Sequence, residues 1–273
     1  MSPIQVGSGP ARLRCDHGPH RPVTQRRFDP RRTELKRSVQ PQVHTMRLIL
    51  FDIDGTLLRD GMASKIAFAR ALRETYNATG PVNGFKFAGM TDPECVTEIM
   101  RLAGVDDQTI HTRREECLRR YVELLRIEMP LHDDAKLYPG VRELLERLNK
   151  LDDVLVGLLT GNVLRGAELK LKRWDLERYF RFGAYGDDHE NRSVLAQIAL
   201  EKARSLSGHP FTGGDTTVIG DTPKDIACAR AIGARAVVVA TGSVSREDLK
   251  ESKPDALLDS FENHNAALRA LFP

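Results

Sequence analysis

The sequence predicts an α/β protein, a doubly wound parallel sheet interrupted early by an all-helical insertion. Three observations carry that expectation. An aliphatic strand near residue 48 is followed, over residues 62–130, by helical patterning with no strand signal. From Pro139 onward, short apolar runs alternate with amphipathic segments, the pattern of strand–helix units around a parallel sheet. Three of the apolar runs end in polar, chemically capable residues: "LILFDID", "VLVGLLTGN" and "TTVIGDTPKD". In such sheets, ligands bind beyond the carboxyl ends of the strands, so these three ends converge on one edge.

Taken in order, "LILFDIDGTLL" (48–58) opens with an aliphatic strand that runs into Asp52 and Asp54 and then turns on Gly55-Thr56. Residues 62–78 place apolar side chains at helical spacing and stop at Gly80-Pro81. "TDPECVTEIMRLAG" begins a second helix, with Asp92 as its expected N-cap and Pro93 in the first turn. "DDQTIHTRREECLRRYVELLRIEM" is a third, whose Arg113-Arg114 and Arg119-Arg120 pairs read as a solvated face. Then follow the helix "GVRELLERLNK", the buried strand "VLVGLLT", the helix "VLRGAELKLKRW" and the short strand "FRFGAY". The helix "RSVLAQIALEKARSL", the strand "TTVIGD", the helix "PKDIACARAIG", the strand "RAVVVATG" and a closing helix in "SFENHNAALRALF" complete the chain. The expected organisation is a core of residues 46–60 and 136–273, with a helical cap at 61–135.

Residues 1–45 differ from the rest. They carry nine Lys/Arg and three acids, rich in Pro and Gln and without an apolar period, and read as a disordered basic extension or one ahead of the true start at Met46. The remaining residues hold 32 Lys/Arg and 35 Asp/Glu, a balance that argues against a nucleic-acid surface. Hydrophobic content of 41% and charged content of 29% fit a globular domain, and no apolar run reaches the ~18 residues of a membrane span. The first residues lack the apolar stretch of a secretory signal, and Cys15, Cys95, Cys117 and Cys228 are scattered. Both features suit a reducing, cytoplasmic setting.

Asp52 and Asp54 lie on the same side of an extended segment, where two like charges repel unless a cation or proton intervenes. "FDIDGT", "LLTGN" and "VIGDTPKD", in this order around a helical insertion, resemble the motifs of the haloacid dehalogenase-like hydrolase superfamily. The likeness is closest to its phosphatase branch with a helical cap, the phosphoglycolate-phosphatase-like group. It runs from residue 47 to about 242 and implies a Rossmann-like core.

That resemblance implies a set of roles. Asp52 is the expected nucleophile, forming an aspartyl-phosphate, and Asp54 the general acid/base that protonates the leaving alkoxide and activates water. An acid at position 54 separates phosphate-ester chemistry from carbon–halogen cleavage, because a departing halide needs no proton. Gly55 and Thr56 fit the turn, with backbone N–H groups expected to face a phosphate. Thr160, Gly161 and Asn162 fit an oxyanion cradle. Asp221 is the expected Mg²⁺ ligand with the Asp52 carboxylate and the Asp54 backbone carbonyl, and Asp225 belongs to the same site, orienting a metal-bound water or a neighbouring cation.

The family's usual Lys, about thirty residues after the Thr, is missing from "YGDDHENRSVLAQIAL". Arg192, 32 residues after Thr160, takes that role, with Lys224 as the rival and the acids of 186–190 as possible partners for Arg192. His189 reads as a loop histidine. Lys86, in the cap loop 85–94, is the candidate contact to an anionic substrate. The expected activity is Mg²⁺-dependent hydrolysis of a small phosphorylated metabolite by a monomer or homodimer, with no nucleic-acid or membrane partner. A phosphosugar mutase on the same core and a non-catalytic phosphate- or protein-binding module are the alternatives.

Overall fold

A computed structural model describes residues 46–272. The expectations for residues 1–45, including Cys15, lie outside the described residues. Among those described, six strands form one parallel sheet: β1 (Arg47–Phe51), β4 (Val154–Leu159), β5 (Gly183–Ala184), β6 (Thr216–Gly220), β7 (Arg235–Val239) and β8 (Ala256–Leu258). Their order is β5-β4-β1-β6-β7-β8, so β1 lies between β4 and β6. The first strand therefore belongs to the later sheet, as its sequence required. Three strands were not anticipated: β8, and β2 (Leu58–Arg59) with its antiparallel partner β3 (Lys136–Leu137), a pair that closes the two ends of the insertion against each other. All three are too short for period-two patterning to register.

Strand alternation divides the core into two layers. Ile49 and Phe51 face α4 (Val141–Leu148), α5 (Leu164–Arg173) and α9 (His264–Leu271). Leu48 and Leu50 face α6 (Arg192–Ser207), α7 (Pro223–Ala231) and α8 (Arg246–Glu251). Burial on both faces explains why the strands read as continuous apolar runs.

Between β2 and β3 lie α1 (Ala63–Tyr76), α2 (Asp92–Leu102) and α3 (Asp107–Glu128). They gather a hydrophobic cluster of their own around Phe68, Ile99, Met100 and Tyr121, and Val163 of the core joins it. Phe68 stacks edge-on against both Phe87 and Tyr121. Thr91, not Asp92, caps α2. Its backbone is extended, its hydroxyl accepts the Glu94 N–H at 3.2 Å, and the Glu94 carboxylate accepts the Thr91 N–H. That frees the Asp92 side chain for another use. Among the described residues no helix is long and apolar enough to cross a membrane.

Candidate active site

β1, β4 and β6 are neighbours, so the residues that follow them come together. Asp52 follows β1, Thr160 follows β4 and Asp221 follows β6. Asp52 is buried, and its N–H continues the ladder to the Ile219 carbonyl at 2.9 Å. Gly55 turns the chain at φ +84°. A Cβ there would collide with the Asp221 carboxylate, so both conformation and space demand glycine. The turn consumes its own amides: Gly55 N–H bonds Leu58 O and Thr56 N–H bonds Ile53 O. The expectation that these two groups face a phosphate is therefore corrected. The buried Thr56 hydroxyl instead donates to Asp221 Oδ1 at 3.3 Å.

Two basic side chains, one from each helical layer, hold the loop acids. Arg192, at the start of α6, is buried and places Nη2 3.0 Å from Asp52 Oδ2 and 2.6 Å from Asp225 Oδ1. It does not pair with residues 186–190: Glu190 engages Arg114, Asp188 engages Lys202, and His189 accepts the Asn191 N–H within the loop. The reading of Arg114 as merely solvated is thereby corrected, since it ties α3 to the core. Lys224 pairs with Glu94 at 3.2 Å rather than with Asp52. Asp225 has both oxygens engaged, Oδ1 by Arg192 and Oδ2 by the Thr222 N–H and hydroxyl. This disposes it toward positioning the guanidinium more than toward binding a metal directly.

The second cation was missed from the sequence. Lys170 of α5 is buried, donates to Asp54 Oδ2 and Asn162 Oδ1 at 2.7 Å each, and forms an ion pair with Asp60 Oδ2 at 3.0 Å. Asn162 also donates to Asp54 Oδ2 at 2.7 Å and to the Thr160 hydroxyl at 2.9 Å. A signal existed. Gly166, Ala167, Lys170 and Leu171 form the buried stripe of α5, so the lysine stands at an inward position. Lys86 is exposed, with no hydrogen bond or ion pair to any of these residues. The helical insertion meets the site through Asp92 instead: its N–H bonds Gly161 O and its carboxylate accepts the Val163 N–H, both at 2.8 Å. Gly161 allows that approach, because a Cβ there would strike the Met90 carbonyl. A cleft of about 410 Å³ between α2 and the starts of α6 and α7 is walled by Arg192, Lys224 and Glu94 but reaches neither Asp52 nor Asp54.

The electrostatics follow from crowding. Burial pushes the Asp52 carboxyl up to about 6; Arg192 opposes the rise while Asp225 and Asp54 add to it. Burial, with Asp225 and Asp52 nearby, pushes Asp221 up to about 9. Asp54 is raised as well, burial outweighing the opposing Lys170 charge. Carboxylate oxygens of Asp52, Asp221 and Asp225 lie within 4.8 Å of one another, and Asp52 Oδ1 is buried without a hydrogen-bond partner. Such a set can hold a divalent cation, which would relieve the repulsion that otherwise raises these groups.

The haloacid dehalogenase-like hydrolase family model matches residues 46–233, and the chain belongs to that family. A phosphoglycolate phosphatase of Synechococcus elongatus is 28% identical over 220 residues, covering 79% of this chain and 93% of that protein. One from Pseudomonas syringae pv. syringae is 26% identical, covering 79% and 77%. The solved structure of a hydrolase from Pseudomonas syringae superposes with a TM-score of 0.62 at 20% identity, covering 83% of this chain and 99% of that one. This last likeness speaks to the fold.

Proposed function

We propose that the chain is a Mg²⁺-dependent phosphatase that hydrolyses a small phosphate monoester through an aspartyl-phosphate on Asp52. Phosphatase chemistry is supported by the family and by the names of the relatives it resembles. One observation carries the rest: Asp54, two residues after Asp52, has one carboxylate oxygen held by a lysine and an amide while the other has no hydrogen-bond partner. A carboxyl so placed suits proton transfer more than structural pairing.

Asp52 would attack phosphorus as the bond to the leaving oxygen breaks, with Asp54 giving that oxygen a proton. Asp54 would then take a proton from the water that attacks the aspartyl-phosphate, releasing phosphate and restoring both acids. Arg192 would neutralise charge on the phosphoryl oxygens. Its Nε is buried and unpartnered, and Asp225 holds its Nη2. Thr160, Gly161 and Asn162 would line the phosphate cradle. Mg²⁺ would be held by Asp52, Asp221 and the Asp54 carbonyl, and it supplies charge neutralisation between carboxylates and phosphate. Residues 61–135 would act as a cap over this edge, excluding water, with Lys86 positioned to meet substrate only if its loop moves inward.

A mutase needs a basic residue of the insertion near the phosphoryl group, but His111 is exposed on α3 and His132 pairs with Glu128. The hydrolase reading is tested by phosphate release from p-nitrophenyl phosphate with and without Mg²⁺. Wild type should require Mg²⁺ and Asp52→Asn should lose turnover. Equal rates in the two proteins overturn the nucleophile assignment.

A further inference from the structure

Lys170 is a buried charge that the hydrolytic steps do not use, and three oxygens surround it. Its ammonium donates to Asp54 Oδ2 and Asn162 Oδ1 and forms an ion pair with Asp60 Oδ2. Asn162 is equally constrained. Its carbonyl accepts from Lys170, and its two N–H groups go to Asp54 Oδ2 and the Thr160 hydroxyl. Asp54 Oδ2 thus receives two strong hydrogen bonds, whereas Oδ1 is enclosed without a partner. The carboxylate cannot rotate about its Cβ–Cγ bond without breaking both bonds to Oδ2.

Asp60 anchors the other side of the lysine. It lies just before α1 and accepts a hydrogen bond from Ser64, whose hydroxyl receives the Tyr121 O–H of α3 at 3.2 Å. Lys170 therefore stands where the catalytic loop, the Thr160–Asn162 loop and the first residues of the helical insertion meet.

We infer that Lys170, with Asp60 as its second anchor, is a positioning residue that fixes Asp54 so that Oδ1 alone serves proton transfer. This rests on the hydrolase reading above. In the first step the proton on Oδ1 passes to the leaving oxygen as the P–O bond breaks with its electron pair. In the second, Oδ1 takes a proton from the attacking water.

The role predicts a leaving-group signature. kcat/KM reports formation of the aspartyl-phosphate, and p-nitrophenolate departs with little need of a proton, whereas unsubstituted phenolate needs one more. Lys170→Met should lower kcat/KM for phenyl phosphate on the order of 10-fold or more beyond its effect on p-nitrophenyl phosphate, within the range general acids supply. Lys170→Arg, which keeps the charge, should narrow the gap. Equal losses on both substrates overturn the inference, since a merely structural lysine has no reason to sense the leaving group. If circular dichroism shows that Lys170→Met does not fold, Asp60→Asn replaces it. That variant loosens the second anchor and should widen the gap in the same direction; an unchanged ratio counts against the inference. Asp52→Asn in the same assay keeps the two claims apart. If it stays active, or if wild type cleaves neither ester, the hydrolase reading fails. If it is dead while the Lys170 ratio is flat, only this inference fails.

Discussion

Arg192 and Lys170 are two solutions to one problem. Each is a buried cation on a helix, and each bridges an acid of the "DID" stretch to a second aspartate: Asp52 to Asp225, and Asp54 to Asp60. They differ in enclosure. Around Arg192 both acids are as hidden as the guanidinium, with side-chain exposures of 6% and 2%. Around Lys170 the acids retain 39% and 15%. The Asp52 side of the site is dry, which strengthens every charge interaction there. The Asp54 side is more open at the level of the whole side chain, although Oδ1 itself is enclosed. The choice of cation fits: a planar guanidinium can serve two acids and keep its Nε free of them, while a compact ammonium gathers Asp54, Asn162 and Asp60 around one point charge.

The largest test of this contrast is at Arg192. Arg192→Ala should lower kcat by about 10³-fold or more, because it removes the cation that pairs with Asp52 and that the proposed mechanism sets against the phosphoryl oxygens. It also strands Asp52 and Asp225, and losing one partner of a buried pair costs about 3–5 kcal/mol, so folding must be checked alongside. Lys224→Ala should leave kcat within a few-fold, since Lys224 faces Glu94. The reverse ranking would mean that the two cations had been assigned the wrong way round.

A smaller effect belongs to the acids behind the cations. Asp225→Asn keeps an acceptor for Thr222 but weakens the hold on Arg192, and a kcat loss of about 10- to 100-fold is expected for such a supporting contact. Metal affinity should move less than turnover. Asp221→Asn should do the opposite. In wild type, Mg²⁺ at 100 times its Kd should stabilise by about 2.7 kcal/mol, read as a rise in thermal midpoint, and in Asp221→Asn that rise should vanish. Equal Mg²⁺ responses in the two variants would erase the distinction between a ligand and a supporting acid.

How much of this could be read in the sequence follows from where each signal lies. The sheet and the convergence of Asp52, Thr160 and Asp221 were legible because apolar runs ending in polar residues are local features. Arg192 was legible by its spacing from Thr160, and the structure brings it to Asp52. Lys170 was not, because "LKLKRW" looks like an ordinary basic helix end. Only the inward phase of position 170, beside Ala167 and Leu171, distinguishes it from Lys172. Its two acidic partners, Asp54 and Asp60, lie more than a hundred residues away in sequence, and no local pattern encodes such a pairing. The β2–β3 pair and the exchange of Thr91 for Asp92 as helix cap were hidden for a related reason. Both depend on what the insertion docks against.

That docking gives the last and smallest prediction, and it sets the two halves of the molecule against each other. Asp92 carries the insertion's contact to the Thr160–Asn162 loop, and burial pushes its carboxyl up to about 7, with Lys170 opposing. A carboxyl raised in the folded state keeps its proton there while the unfolded chain has already lost it. Stability is therefore fully present below the unfolded pKa near 3.8 and falls as pH rises toward about 7. Asp92→Asn can still accept the Val163 N–H but cannot ionise. Relative to wild type, the variant should gain stability between pH 4.5 and 7.5, by ~1–2 kcal/mol given that Asp92 is only partly enclosed. Chemical denaturation at the two pH values measures this directly, and the difference cancels contributions from Asp52 and Asp221, which both proteins share. A gap that does not change with pH would mean that Asp92 is ionised in the folded protein. The insertion would then be held to the core by a charged contact, of the same kind as those around Arg192 and Lys170.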